Sequence, residues 1–171
     1  MSAVDTSHPA QWWHALPDGR VLAHGIANVG GRAQLVLARF TSEGVTDPSF
    51  GTGGVAAFAV ARPSESLESV AIALDPAGRI VVAARVTLSG KDFTRVGRLQ
   101  ADGSPDLRFA GAGVSPVTFG SAYEPSVAVR PTGEIVLGLE REVVQLRGGD
   151  LGEDHGLRER LAVEYFHADY G

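Results

Sequence analysis

The side chains with the most chemical capacity lie near the start of the chain: Trp12, His14 and His24. An indole face stacks on a sugar ring and imidazoles hydrogen-bond hydroxyls, so this group would suit a carbohydrate. Aromatic residues are also enriched where protein surfaces meet, and they fill irregular cores. A ligand pocket, an interface between chains and packing within one repeat are all open at this point. Two histidines do not make a metal centre. Zinc takes three or four protein ligands, and no third ligand is identifiable nearby, so neither a metal nor another cofactor is expected.

Other segments carry weaker signals. Gly-Thr-Gly-Gly at 51–54 lacks the Gly-Lys-Ser/Thr ending and the helix of a phosphate loop, and reads as a turn. Asp-Gly-Ser-Pro-Asp at 102–106 lacks the spaced acidic positions and terminal Glu of a calcium loop. Glu153, Asp154 and His155 form the one dense acid–imidazole cluster, read as a solvated loop. There is no Gly-x-Ser-x-Gly elbow, and no serine has a local activating partner. The absence of cysteine removes disulfides, thiolate metal sites and cysteine nucleophiles. No pair of carboxylates for glycoside hydrolysis can be assigned from spacing. No catalytic residue is assigned, and no enzymatic activity is expected.

The elements that position these residues come from an internal repeat. Leu-Pro-Asp-Gly-Arg-Val-Leu-Ala at 16–23 returns as Asp-Pro-Ala-Gly-Arg-Ile-Val-Val at 75–82 and as Arg-Pro-Thr-Gly-Glu-Ile-Val-Leu at 130–137. Glu43 to Phe50 matches Asp102 to Phe109 at the same shift of 59. The third copy is degenerate. Its third strand answers the second copy at a shift of 47, and its Asp-x-x-Phe turn has become Glu153-Asp154-His155-Gly156. One domain over 1–171 is expected, with repeats at about 8–64, 65–121 and 122–171.

Each repeat reads as four short strands with Gly, Pro and Asp between them. First strands are expected at 12–15, 70–74 and 126–129, and second strands at 20–27, 79–87 and 134–139. Third strands follow at 34–40, 94–99 and 143–146, and fourth strands at 55–60, 114–119 and 161–166. A helix could be drawn through Leu157, Leu161 and Tyr165, but the repeat register favours a strand. A three-residue hairpin loop is a type I turn followed by a left-handed residue, so Gly19, Gly78 and Gly133 are the structural turn residues.

That loop sets the pairing as Ala15 with Val21, His14 with Leu22, Trp13 with Ala23 and Trp12 with His24. Side chains alternate along a strand. One face then carries Trp13, Ala15, Val21 and Ala23, with Ile72, Ile80, Val82 and Val127, Ile135, Leu137 as counterparts. That face is apolar in every copy, and Trp13 is expected in the core. The opposite face carries Trp12, His14, Leu22 and His24 in the first copy. The later copies have small residues there, such as Ala71, Ala83, Ala128 and Gly138. These four are the candidate ligand or interface residues, expected to block close approach of two sheets or to meet a different partner.

With those blocks in view, the sequence resembles the bacterial delta-60 repeat family. The likeness rests on Pro-Asp-Gly-Arg-Val-Leu at 17–22, on Ala-Arg-Phe-x-x-x-Gly-x-x-Asp-x-Ser-Phe-Gly-x-Gly-Gly-Val from Ala38, and on residues 76–83 and 99–114. The resemblance implies an all-β fold of β-propeller-like repeats and no shared reaction or catalytic residues. Propellers close with about 4–8 four-stranded blades. Three repeats would therefore form a half propeller or an open array, with a β-trefoil as the alternative. Two chains would supply six blades, closing by twofold symmetry.

Composition agrees with a globular chain of turns and strands. Of 171 residues, 44% are hydrophobic and 20% charged, and 22 are glycine, against a usual share of ~7%. The formal net charge of −5 argues against a nucleic-acid or anionic-membrane surface as the main partner. Residues 1–10 carry Asp5 and no basic or apolar segment of a signal peptide, and no apolar run approaches a membrane span, so the compartment defaults to the cytoplasm. The expected role is a non-enzymatic binding module that assembles through exposed blade faces with itself, as a homodimer, or with another protein. A carbohydrate-binding lectin is the alternative and a propeller hydrolase a further one.

Overall fold

The computed structural model describes residues 12–116, 118–120, 123–139 and 143–146, together with the backbone of 162–164. Eleven strands run in chain order: β1 (Trp12–Ala15), β2 (Val21–Val29), β3 (Arg32–Phe40), β4 (Val55–Phe58), β5 (Ser66–Leu74), β6 (Ile80–Leu88), β7 (Lys91–Leu99), β8 (Ser126–Val129), β9 (Ile135–Gly138), β10 (Val143–Leu146) and β11 (Ala162–Glu164). They form three separate antiparallel sheets, β1-β2-β3-β4, β5-β6-β7 and β8-β9-β10-β11, with no helix among the described residues. A trefoil joins strands of all repeats into one barrel. Separate sheets exclude it.

The Pro-x-Gly turns impose the same hairpin three times. Leu16 N–H donates to the Arg20 carbonyl at 2.8 Å and Gly19 N–H to the Leu16 carbonyl at 3.0 Å. The equivalent bonds recur between Asp75, Gly78 and Arg79 and between Arg130, Gly133 and Glu134. Gly19, Gly78 and Gly133 have φ of 84°, 76° and 87°, the left-handed conformation that lets the chain reverse in three residues. The register follows: Trp12 pairs with His24, Trp13 with Ala23, His14 with Leu22 and Ala15 with Val21.

Two fourth strands depart from the repeat. In the second repeat, 114–119 forms no continuous ladder with β7 among the described residues, pairing through isolated bridges at Gly97–Val114 and Thr94–Phe119. Pro116 lies between them and has no N–H for the ladder. In the third repeat, β11 is a strand against β10, where a helix had been the alternative, and Val144 pairs with Val163. A constant shift of 47 puts Leu161 there, so the pairing has moved by two residues. Leu157, Leu161 and Tyr165 lie outside the described residues, as do Glu153, Asp154 and His155.

The sheets stack by one rule. The forward face of the first sheet, with Leu22, Leu35, Leu37 and Phe58, buries against the rear face of the second, with Ile72, Ile80 and Val82. The forward face of the second, with Val81, Ala83 and Val96, buries against the rear face of the third, with Ile135, Leu137 and Val144. In the first contact aliphatic side chains meet on both sides, and Phe58 reaches over Gly97. A Cβ built on Gly97 would lie 2.6 Å from Phe58 Cε1, so the ring occupies the space that glycine leaves open.

This rule corrects two expectations. Trp13 shares the rear-face register of Ile72 and Val127, yet it is 62% exposed, because none of the described sheets packs on the rear face of the first. Leu22 and His24, expected to meet a different partner, are 1% and 3% exposed within the contact with the second sheet. Among the four forward-face candidates, only Trp12, at 60%, stands free.

Candidate interaction surface

Stacking three sheets in one direction leaves two faces uncovered among the described residues. On the rear face of the first sheet, Trp13 and Ala15 are exposed and Val21, Val36, Ala38 and Phe40 half-buried. The Trp13 and Phe40 rings lie 5.8 Å apart, tilted by 37°, and Ala23, directly across from Trp13, is buried. Among the described strand residues of this face, the one charge is Arg32, at the far hairpin, where Nη2 donates to the Ala61 carbonyl at 3.2 Å. Apolar faces of this kind normally mark an interaction site. On the forward face of the third sheet, Ser126, Ala128 and Val143 are exposed and Val136, Gly138 and Gln145 half-buried, and the register sets Glu164 of β11 opposite Val143. Gln145 Nε2 is buried there without a hydrogen-bond partner among the described residues.

The charged residues most suggestive of chemistry instead hold each sheet to its turn. Arg39 Nε donates to Asp47 Oδ2 at 2.8 Å and Arg20 Nη1 to the same oxygen at 3.0 Å. Ser49 donates through N–H and Oγ–H to Asp47 Oδ1. Those serine bonds, then the two arginines, hold the Asp47 carboxyl well below the usual carboxylate range. The Arg39 guanidinium lies 4.7 Å from the Phe50 ring centroid, and its Nη1 donates to Ala101 of the second repeat. At a shift of 59 the set returns: Arg98 donates to Asp106 at 2.6 Å, Arg79 approaches it at 3.7 Å, and Arg98 lies 4.9 Å from Phe109. The third repeat has Glu134 and Gln145 at the arginine positions.

These two cassettes, from the hairpin turn to the buried Phe, decide the comparison with known families. The family described as Domain of unknown function (DUF5122) beta-propeller matches residues 16–50 and 76–109, which end on Phe50 and Phe109. The chain is β-propeller-like. No curated protein and no solved structure matches it. Its repeats are blades, and the three form a half propeller or an open array.

Within the first blade, the strand register brings His14 and His24 together. Their rings stack with centroids 5.3 Å apart. His14 Nε2 and both His24 nitrogens are buried without a well-formed hydrogen bond. Burial, and then the charge of His14, push His24 down to about 4, while the Val70 backbone pulls the other way. Burial also lowers His14. His24 is buried in the contact with the second blade, and His14 is half-buried beside it. The register places Trp12, His14, Leu22 and His24 on one face of the first sheet, and Trp13 on the other.

Two hollows lie between the first and second blades. One, of about 380 Å³, is lined by Ser49, Thr52, Asp102 and Ser104 and the backbone at 55–57. The other, of about 210 Å³, is bounded by Leu16, Arg20, Phe50 and Ala77. Among the described residues, no group of three His, Asp or Glu could hold a metal ion, and no helix is long and apolar enough to cross a membrane. The residues missed by sequence reasoning are Arg20, Arg39, Arg79 and Arg98. Their recurrence at the same shift as the Asp-x-x-Phe turn was the available signal.

Proposed function

We propose that the chain is a non-enzymatic protein-binding module of the delta-60 repeat type, acting through the uncovered rear face of its first blade. One observation carries this reading. Trp13 is 62% exposed on a sheet face whose counterparts in the second and third blades lie under a neighbouring blade. An indole on an apolar face, ringed by half-buried Val, Ala and Phe, is the usual anchor of a protein contact. Oxidative footprinting of Trp13 in intact cells, set against the purified chain at high dilution, tests it. Protection in cells is expected, and equal labelling in both would contradict it.

A second reading, a lectin with a site between blades, has support of its own. The hollow beside Ser49, Thr52, Asp102 and Ser104 offers hydroxyls and a carboxylate to a sugar. Asp102, however, already accepts bonds from Ser104 N–H and Oγ–H at 2.9 and 2.6 Å. A glycan array run with the parent and Asp102→Ala separates the two readings: a sugar signal lost in the variant supports the lectin, and a silent array leaves the protein-binding module.

A further inference from the structure

We propose that the rear face of the first blade is covered by the forward face of the third blade of a second copy, so that two chains close one six-bladed ring. This inference rests on the binding-module reading and names the partner of that surface. The two contacts inside the chain define what fits: each joins a forward face to the rear face of the following blade. Phe58 sits over Gly97, and Val81 and Ala83 lie against Ile135 and Leu137. The uncovered pair obeys the same rule. Trp13 and Phe40 supply bulk on the rear face, and Ser126 and Ala128 are small exposed residues of the forward face.

Charge agrees. Strands β8, β9 and β10 place no charged residue on the third blade's forward face, the register sets Glu164 of β11 opposite Val143, and the described strands of the first blade's rear face carry Arg32 at the far hairpin. The described strands of the two faces then carry one charge each, of opposite sign. Six blades fall within the roughly 4–8 at which propellers close. A twofold axis generates two identical contacts, each Trp13 face meeting the partner's third blade.

The test uses complementation in light scattering across a dilution series. The parent is expected to be a dimer, and Trp13→Glu and Ala128→Glu each to weaken association roughly 100-fold by placing a carboxylate in the contact. Mixing the two variants is expected to restore a 1:1 complex, because each supplies the face the other lacks. Both positions are exposed, and unchanged melting curves check folding. Trp13→Ser paired with Ser126→Arg repeats the experiment with different chemistry. A dimer that persists in Ala128→Glu alone, or variant mixtures that stay monomeric, would overturn the proposal. A parent that is monomeric at every concentration overturns it too. In that case, protection of Trp13 in cells keeps the binding-module reading with another partner, and absence of protection removes both.

Discussion

At the residue scale, the buried polar groups divide into those with partners and those without. Asp106 is fully buried and accepts from Arg98 at 2.6 Å. Asp106→Ala removes the carboxylate from a buried guanidinium and is expected to cost about 3–5 kcal/mol in urea unfolding. Arg98→Met combined with Asp106→Ala should cost less, because no buried charge loses its partner. His24 is the opposite case. Its folded pKa lies at about 4, below the ordinary value of 6.5, so the unfolded chain binds more protons between those values. Stability from this residue is therefore present above about pH 6.5 and lost as pH falls toward 4, by about 3 kcal/mol. Denaturant unfolding at pH 7 and pH 4 is expected to show the parent losing that much more than His24→Leu. Equal losses would place His24 in contact with water or a partner.

At the scale of elements, the hairpins were legible and the stacking was not. Pro17, Pro76 and Pro131 and the glycines two residues on fix loop length, so pairing and turn conformation could be read from the sequence. Which face of each sheet meets the next repeat depends on contacts about 50 residues apart, and both faces are apolar in this chain. The forward face therefore passed for the open one, and Trp13 for a core residue. The break at Pro116 and the two-residue displacement at Val163 belong to degenerate positions where the repeat no longer constrains the chain. The blade contact gives its own prediction. Gly97→Ala would place a methyl group 2.6 Å from Phe58 Cε1 and 3.3 Å from the Gly113 carbonyl, at an expected cost of about 1–3 kcal/mol. Phe58→Leu should recover part of that loss in a double-mutant cycle, whereas strictly additive effects would mean the ring does not occupy that space.

At the scale of the whole molecule, two blade contacts leave a chain with unlike ends: a bulky rear face at the first blade and a small forward face at the third. Unlike ends that match are what ring closure requires, and Trp13 reports on it directly. The chain has two tryptophans, so Trp12→Phe leaves Trp13 as the single emitter. Emission from this variant is the most direct measurement, followed from high to low protein concentration at neutral pH. The expected result is a blue-shifted maximum at high concentration that moves red on dilution, as the partner's third blade leaves the indole. A red-shifted maximum at every concentration would contradict closure by a second copy.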